Sequence, residues 1–243
     1  MATDPDFPAL LASITRCNAV YEPDQDRAFA AFELLGSRVL GRYCDTRHQA
    51  VAHIAADGVA TLTISGSRVS EGSTSDTLGD LFEDVDFTPL AVADGVEVAT
   101  GAHDGLGAVF TWALGLFGDT ALIRVEGHSL GGQRTHLAPL WVTVERLHSM
   151  IAWAPPKAAN DAFYAAYPGH FAKCTTPLHD RDPWAAWPWV SETLEHPPGA
   201  LLWLRQDGWE VVTRDQWPGG DILHASDHDP AGYLAAVRAL VAA

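Results

Sequence analysis

The sequence predicts an α/β fold: a mostly parallel central sheet with helices on both faces and antiparallel hairpins at its edges. Three observations predict it. Strand-length apolar runs alternate with segments of helical spacing through the middle of the chain, the pattern of parallel strands joined by crossover helices. Asp57-Gly58 and Asp207-Gly208 each separate two short apolar runs, the signal of a hairpin. The 243 residues are 47% hydrophobic and 19% charged, enough for one sizeable α/β core and too apolar for disorder. No repeat, low-complexity tract or linker divides the chain, so residues 1–243 read as a single domain.

The elements follow in order. Phe29, Phe32, Leu35, Val39 and Leu40 recur at helical spacing and predict a helix over 24–43. Residues 49–55 and 59–65 are strands flanking Asp57-Gly58, and 96–100 is a short strand. The uncharged stretch 105–118 is too short to span a bilayer and is broken by Gly, so 104–117 reads as a buried helix. A strand at 121–126, a helix at 130–144 and a strand at 148–154 come next, the last stopped by Pro155-Pro156. A short helix covers 160–167 and ends at Pro168-Gly169; a strand is expected over 171–178. The second hairpin joins 200–205 to 209–213, and 229–241 forms the final helix.

The informative stretch is Gly127-His128-Ser129-Leu130-Gly131-Gly132. It contains Gly-x-Ser-x-Gly, for which 21 Gly and 11 Ser in this length give roughly 0.08 matches by chance. A β-rich run leads straight in and a helical segment follows, the strand–turn–helix setting that puts a serine on a sharp, strained turn clear of the sheet. Small residues are required two positions to either side, where the backbones meet. The N–H of Leu130 at the helix start is then placed to bind a developing oxyanion. A serine is a weak nucleophile by itself, so a base and an orienting acid are needed, in the order Ser, Asp/Glu, His for this elbow. His136 and His148 lie too close behind the elbow. His224 and His228, in a loop before the last helix, are the candidate bases. Asp182, opening the Pro-bounded loop Asp182 to Pro188, is the candidate acid.

Together these residues resemble the class 3 lipases, a branch of the α/β-hydrolase fold. Gly127 to Gly132 matches that family's Gly-His-Ser-Leu-Gly-Gly elbow. Ala152-Trp153-Ala154-Pro155-Pro156 through Asn160 and Phe163 resembles its Phe-Gly-x-Pro-x-x-Gly-Asn segment, and Asp182 to Pro188 its Asp-x-Val-Pro-x-Leu-Pro loop. His228 to Leu234 is similar to its His-x-x-x-x-Tyr-Leu ending, which favours His228 over His224. Gly66-Ser67 resembles its Arg-Gly-Ser/Thr turn and Asp76 to Asp80 its Asp-Trp-x-x-Asp segment. The resemblance covers about residues 18–240. It implies a Ser129, Asp182, His228 triad, with the N–H groups of Ser67 and Leu130 as oxyanion donors, acting on carboxylic esters without a cofactor. Trp184 and Trp187, near Asp182, are expected to wall a substrate pocket with His128; packing and structural roles stand beside that reading for all three. The chain departs from the family in four places. Ile64-Ser65 replaces Phe-Arg, Thr77 replaces Trp, and Arg134 and His136 replace small residues. Polar residues Ser70 to Ser75 stand where secreted members carry an apolar lid, which points to short- and medium-chain esters. An inactive binding protein on the same fold and an acyltransferase using the same triad are the alternatives.

The net charge is −16, from 15 Lys+Arg against 31 Asp+Glu, and no basic patch forms. Such a surface repels nucleic acid and anionic membranes and suits neutral substrates. Cys17, Cys44 and Cys174 are odd in number and far apart, so no disulfide framework is expected. The start carries acid where a secretory leader carries base, and the apolar run 7–14 holds Pro8, so a soluble cytoplasmic protein is expected with secretion left open. His224 and His228 stand among Asp221, Asp227 and Asp229, yet the local sequence supplies no third zinc ligand. The acids Asp80, Glu83, Asp84 and Asp86 lack EF-hand spacing. No metal is therefore expected, and the sequence leaves the oligomeric state open.

Overall fold

The computed structural model describes residues 4–66, 86–189, 191 and 193–242. Helix α1 (Phe7–Ala19) opens the chain, with Asp6 capping it through the N–H of Ala9. Its Leu10, Ile14 and Cys17 are buried, so the apolar run at the N-terminus is a core helix. Helix α2 (Gln25–Leu34) is capped by Asp24 through the N–H of Arg27. The expected helix over 24–43 ends early. Gly36 turns the chain at φ 74°, and Arg38–Cys44 becomes strand β1. The apolar residues beyond the turn fit a pleated, half-buried edge as well as a helix, and the glycine decides between them.

The main sheet runs β1, β2 (Gln49–Ile54), β3 (Ala60–Ile64), β6 (Ile123–His128), β7 (Leu147–Trp153), β8 (Cys174–Thr175). The first three strands are antiparallel, with Ala52 opposite Leu62; from β3 onward every pairing is parallel, with Leu62 opposite Val125 and Val125 beside Met150. A hairpin of β4 (Pro89–Ala93) and β5 (Val96–Ala99) stands apart from this sheet. Its first strand, joined at Asp94-Gly95, was not expected from the sequence. The strand expected over 171–178 is two short ones, β8 and β9 (Pro177–His179), because Pro168–Phe171 continues as a helical turn. Strand β9 bonds β7 through the N–H of Ala154 and the carbonyl of Pro177 at 3.1 Å, and pairs in parallel with β10 (Leu201–Arg205). The expected C-terminal hairpin is β10 and β11 (Gly208–Val212).

Helices cover both faces. On one lie α3 (Thr100–His103), α4 (Leu106–Phe117), α5 (Leu130–His136), α6 (Asp161–Ala166) and α7 (Pro168–Phe171); Leu106, Phe110 and Phe163 pack with Leu62, Val125 and Met150. On the other, α1 and α8 (Pro230–Ala242) cover Ile151, Trp153 and Leu204 with Ile14, Tyr233 and Val237. Each such fully buried large side chain contributes roughly 1.5–3 kcal/mol by leaving water. The helix expected over 130–144 stops at His136 and tightens into a 3₁₀ turn at Ala138–Leu140, where Pro139 has no N–H to continue the ladder. The architecture is the α/β-hydrolase fold: a mostly parallel sheet, helices on both faces, an antiparallel edge.

Beneath the elbow strand lies a buried ion pair. Arg16 of α1 donates from Nε and Nη2 to the two carboxylate oxygens of Glu126 at 2.6 and 2.8 Å, and Thr63 donates to the same carboxylate at 2.8 Å. Burial would raise the Glu126 carboxyl, but Arg16 holds it below its ordinary range. Helix α1 is thus fastened to the strand that ends at Ser129.

Candidate active site

Strand β6 ends at His128 and α5 begins at Leu130, so the whole turn between them is Ser129. Its backbone sits at φ 61°, ψ −129°, a strained conformation for a non-glycine residue. Two hydrogen bonds hold it: the Ser129 N–H donates to the carbonyl of Trp153 at 2.9 Å, and its carbonyl accepts from Gln133 at 2.9 Å. The glycines follow from the same geometry. A Cβ on Gly127 would collide with the backbone of Gly131, and one on Gly131 with the carbonyl of Ile64. Leu130 is the first residue of α5, where a backbone N–H has no partner inside the helix.

The chain returns to Ser129 from two distant segments. Asp182 follows β9 in a tight turn closed by its own N–H to the carbonyl of His179 at 3.0 Å. His228 ends the 3₁₀ segment Ile222–His228, just before α8. His228 Nε2 lies 2.9 Å from Ser129 Oγ, and its Nδ1 lies 3.0 and 2.9 Å from the two oxygens of Asp182. Ser129 is half-buried and the His228 side chain 14% exposed, while Asp182 is fully buried, so the row runs from a reachable hydroxyl to a dry carboxylate. The structure therefore brings Ser129, Asp182 and His228 together. It leaves His224 outside, 46% exposed and 3.4 Å from Asp227.

Asp182 has further partners. Tyr233 of α8 donates its hydroxyl at 2.8 Å, and the N–H groups of Trp184 and Ala185 reach the other oxygen at 2.9 and 3.3 Å. Burial would raise this carboxyl, but His228 and the Tyr233 hydroxyl hold it below the ordinary carboxylate range. Burial and the adjacent Asp182 push the Tyr233 phenol well up, so it stays protonated and donates. Tyr233 belongs to the ending that the sequence flagged, but its role as a support for the acid was missed.

Tyr21 was missed altogether. It lies just past α1, and its hydroxyl accepts the N–H of Gly66 at 3.0 Å and sits 3.2 Å from His128 Nδ1 and 3.3 Å from the His128 carbonyl. It thereby ties the end of β3 to the elbow. A Cβ on Gly66 would strike this hydroxyl and the His128 carbonyl, so the approach needs glycine there. Ser67, expected as the second oxyanion donor, lies outside the described residues, as do Ser70 to Ser75 and Asp76 to Asp80. His128 is 2% exposed, against the His228 ring with centroids 4.9 Å apart. Burial, then the neighbouring His228, pushes His128 down to about 3, so it is neutral. Trp184 is 6% exposed and packs on the His228 ring at 5.5 Å. Trp187 stands farther out, edge-on to Phe87 at 6.2 Å and to Trp189 at 4.7 Å.

The two departures on α5 are buried. His136 bonds Thr176 Oγ1 at 3.0 Å; among the described residues Arg134 reaches only the Arg47 carbonyl, at 3.5 Å, and burial lowers it to about 10 despite Tyr21 and Asp45 nearby. A cavity of about 710 Å³ between Tyr164, Phe171 and Pro198 includes no member of the Ser129 row among its lining residues.

No protein-family model matches the chain, and no curated protein sequence does. Solved structures match closely in shape. One is a triacylglycerol lipase whose catalytic centre is formed by a serine protease triad: TM-score 0.69, 19% identity, 93% of this chain and 94% of that one. The Rhizomucor miehei triacylglyceride lipase gives 0.67 at 18% identity, over 93% and 94% of the two chains. The lipase of Rhizopus microsporus var. chinensis gives 0.67 at 17%, over 93% and 87%. At these identities the likeness is one of fold, and this chain has the α/β-hydrolase fold of the fungal triacylglycerol lipases.

Proposed function

We propose that this chain is a serine carboxylic-ester hydrolase of the class 3 lipase type. The observation that carries the reading is the unbroken row Ser129 Oγ, His228 Nε2, His228 Nδ1, Asp182, each link within 3.0 Å, at the tip of a strained strand-to-helix turn. Ser129 attacks the ester carbonyl carbon while His228 Nε2 takes its proton. Asp182 holds the imidazole in the tautomer that presents a free Nε2 and stabilises the imidazolium that forms. The N–H of Leu130, with that of Ser67, receives the oxyanion. His228 then protonates the departing alcohol, and a water activated by the same nitrogen releases the acid from the acyl-enzyme. No metal or cofactor enters these steps. Trp184 wedges against His228 and, with Trp187, walls the acyl or alcohol side of the site.

The substrates proposed are neutral esters of short to medium acyl chains. The support is the polar composition of Ser70 to Ser75 and the net charge of −16, which disfavours anionic interfaces. A fluorophosphonate probe should label the native protein once and leave Ser129→Ala unlabelled. A nitrophenyl ester series should then peak at short or medium chains. Equal labelling of both proteins refutes the nucleophile, and faster turnover of emulsified long-chain triglyceride refutes the substrate class.

A further inference from the structure

The local sequence around His224 and His228 offered no third metal ligand, but the fold brings Asp227 of that segment together with two residues of a distant one. His179 at the end of β9, Asp180 beside it, and Asp227 in the segment before α8 bring one nitrogen and two carboxylate oxygens within 4.8 Å of one another. All three side chains are largely shielded, at 14%, 22% and 15% exposure. The Arg181 N–H also reaches Asp227 Oδ2 at 3.2 Å, and His224 stands outside the group of three, its Nδ1 3.4 Å from that same oxygen.

His179 Nδ1 lies 3.3 Å from the backbone carbonyl of Asp227, so in the neutral ring that nitrogen carries the hydrogen. Its Nε2 faces the Asp180 carboxylate at 3.7 Å. A histidine whose other N–H is held by a backbone carbonyl is the arrangement that fixes a metal ligand's tautomer and ring orientation. In a tetrahedral site with bonds of about 2.0–2.1 Å, neighbouring ligand atoms are roughly 3.3–3.4 Å apart; His179 and Asp180 are 3.7 Å apart here and all three atoms lie within 4.8 Å of one another. Two carboxylates and neutral imidazole balance a divalent ion, and the nitrogen donor favours a transition metal over calcium or magnesium.

We propose that His179, Asp180 and Asp227 form a binding site for a divalent transition-metal ion such as zinc. The ion is structural. It ties the turn that carries Asp182, two residues after Asp180, to the segment that carries His228, one residue after Asp227. It does not touch the reacting atoms.

Untagged protein freed of metal by chelator dialysis is titrated at pH 7.5 with cobalt(II) and, separately, with zinc. One cobalt should bind per chain, with visible ligand-field bands. Zinc at a hundredfold excess over its Kd should raise the melting midpoint by about 5–10 °C. His179→Gln and Asp227→Asn should each abolish the bands and the shift while keeping the native circular dichroism. If either fails to fold, Asp180→Asn replaces it, with the same expected loss. Ser129→Ala should bind as the native protein does, which separates this result from the ester-hydrolase reading. Failure of the native protein to take up cobalt would leave a histidinium–carboxylate ion pair as the cluster's explanation and overturn the proposal. Unchanged uptake by His179→Gln/Asp227→Asn, or an equal shift with calcium, overturns it as well.

Discussion

Asp182 illustrates how one residue can be prepared by many. A buried carboxylate without partners would take up a proton; here the imidazole of His228, the Tyr233 hydroxyl and two backbone N–H groups keep it ionised. Asp182→Asn keeps the shape but offers an N–H to His228 Nδ1, favouring the tautomer whose Nε2 cannot accept the serine proton. Under the proposed mechanism kcat should fall on the order of 10⁴-fold. Stopped-flow hydrolysis of a nitrophenyl ester reads it, and a loss under tenfold would remove Asp182 from the role. Tyr21 acts one step away, holding the N–H of Gly66 immediately before the proposed donor Ser67. Tyr21→Phe should reduce kcat by about 10–100-fold with little change in KM, since slight misplacement of an oxyanion donor is enough. It should lower stability by only about 1 kcal/mol. Equal losses in the two measurements would make Tyr21 merely structural.

Among the elements, the junction of α1 with β6 stands out. The Arg16–Glu126 pair is almost fully buried, and such pairs contribute little against an apolar replacement but cost about 3–5 kcal/mol when only one partner is removed. Arg16→Met should therefore destabilise by that amount, and Arg16→Met/Glu126→Leu should recover most of it. Urea unfolding of the four proteins of the cycle measures this. If the double variant is as unstable as the single, the pair is a net stabilising device. The elbow follows a different economy at this scale: α5 is short, yet its glycines let it lie directly on β3 and β6, where any Cβ would force the helix off the sheet.

For the whole molecule, the net charge and the buried histidines set the response to acid. Burial pushes His53 and His196 down to about 4, and His128 and His136 down to about 3. In the unfolded chain the same rings take up protons near their ordinary value of about 6.5. The unfolded state therefore binds more protons below that pH, and stability must fall as pH drops from about 6.5 toward 4. Each ring contributes a slope of up to about 1.4 kcal/mol per pH unit. The carboxylates extend the loss. Asp45 is lowered to about 2, against desolvation, by the N–H groups of Arg47 and His48, and Glu126 and Asp182 are lowered too. Their stabilisation is complete above the ordinary carboxylate range of about 4 and is lost as pH falls through their folded values. The melting midpoint should be level above pH 7 and fall steeply below 6.5. A midpoint unchanged from pH 7 to 5 would mean that these rings protonate in the folded state. Among the described residues no helix is long and apolar enough to cross a membrane.

What the sequence determined by itself was whatever rests on neighbouring residues. The strand–serine–helix turn, the hairpins at Asp57-Gly58 and Asp207-Gly208, and the alternation that makes a parallel sheet are all written in local spacing and glycine placement. Local signals also misled where two structures share one pattern. The apolar spacing of 24–43 served a helix and a strand, and only the turn at Gly36 separates them. The tertiary structure alone decided which groups meet. Ser129 and His228 are 99 residues apart, Arg16 and Glu126 are 110, and the His179–Asp227 cluster joins segments that share no local motif. The physical reason is desolvation. A charge or hydroxyl buried by the fold must find a partner or raise the free energy by several kcal/mol, and the candidates come from every segment the core draws together.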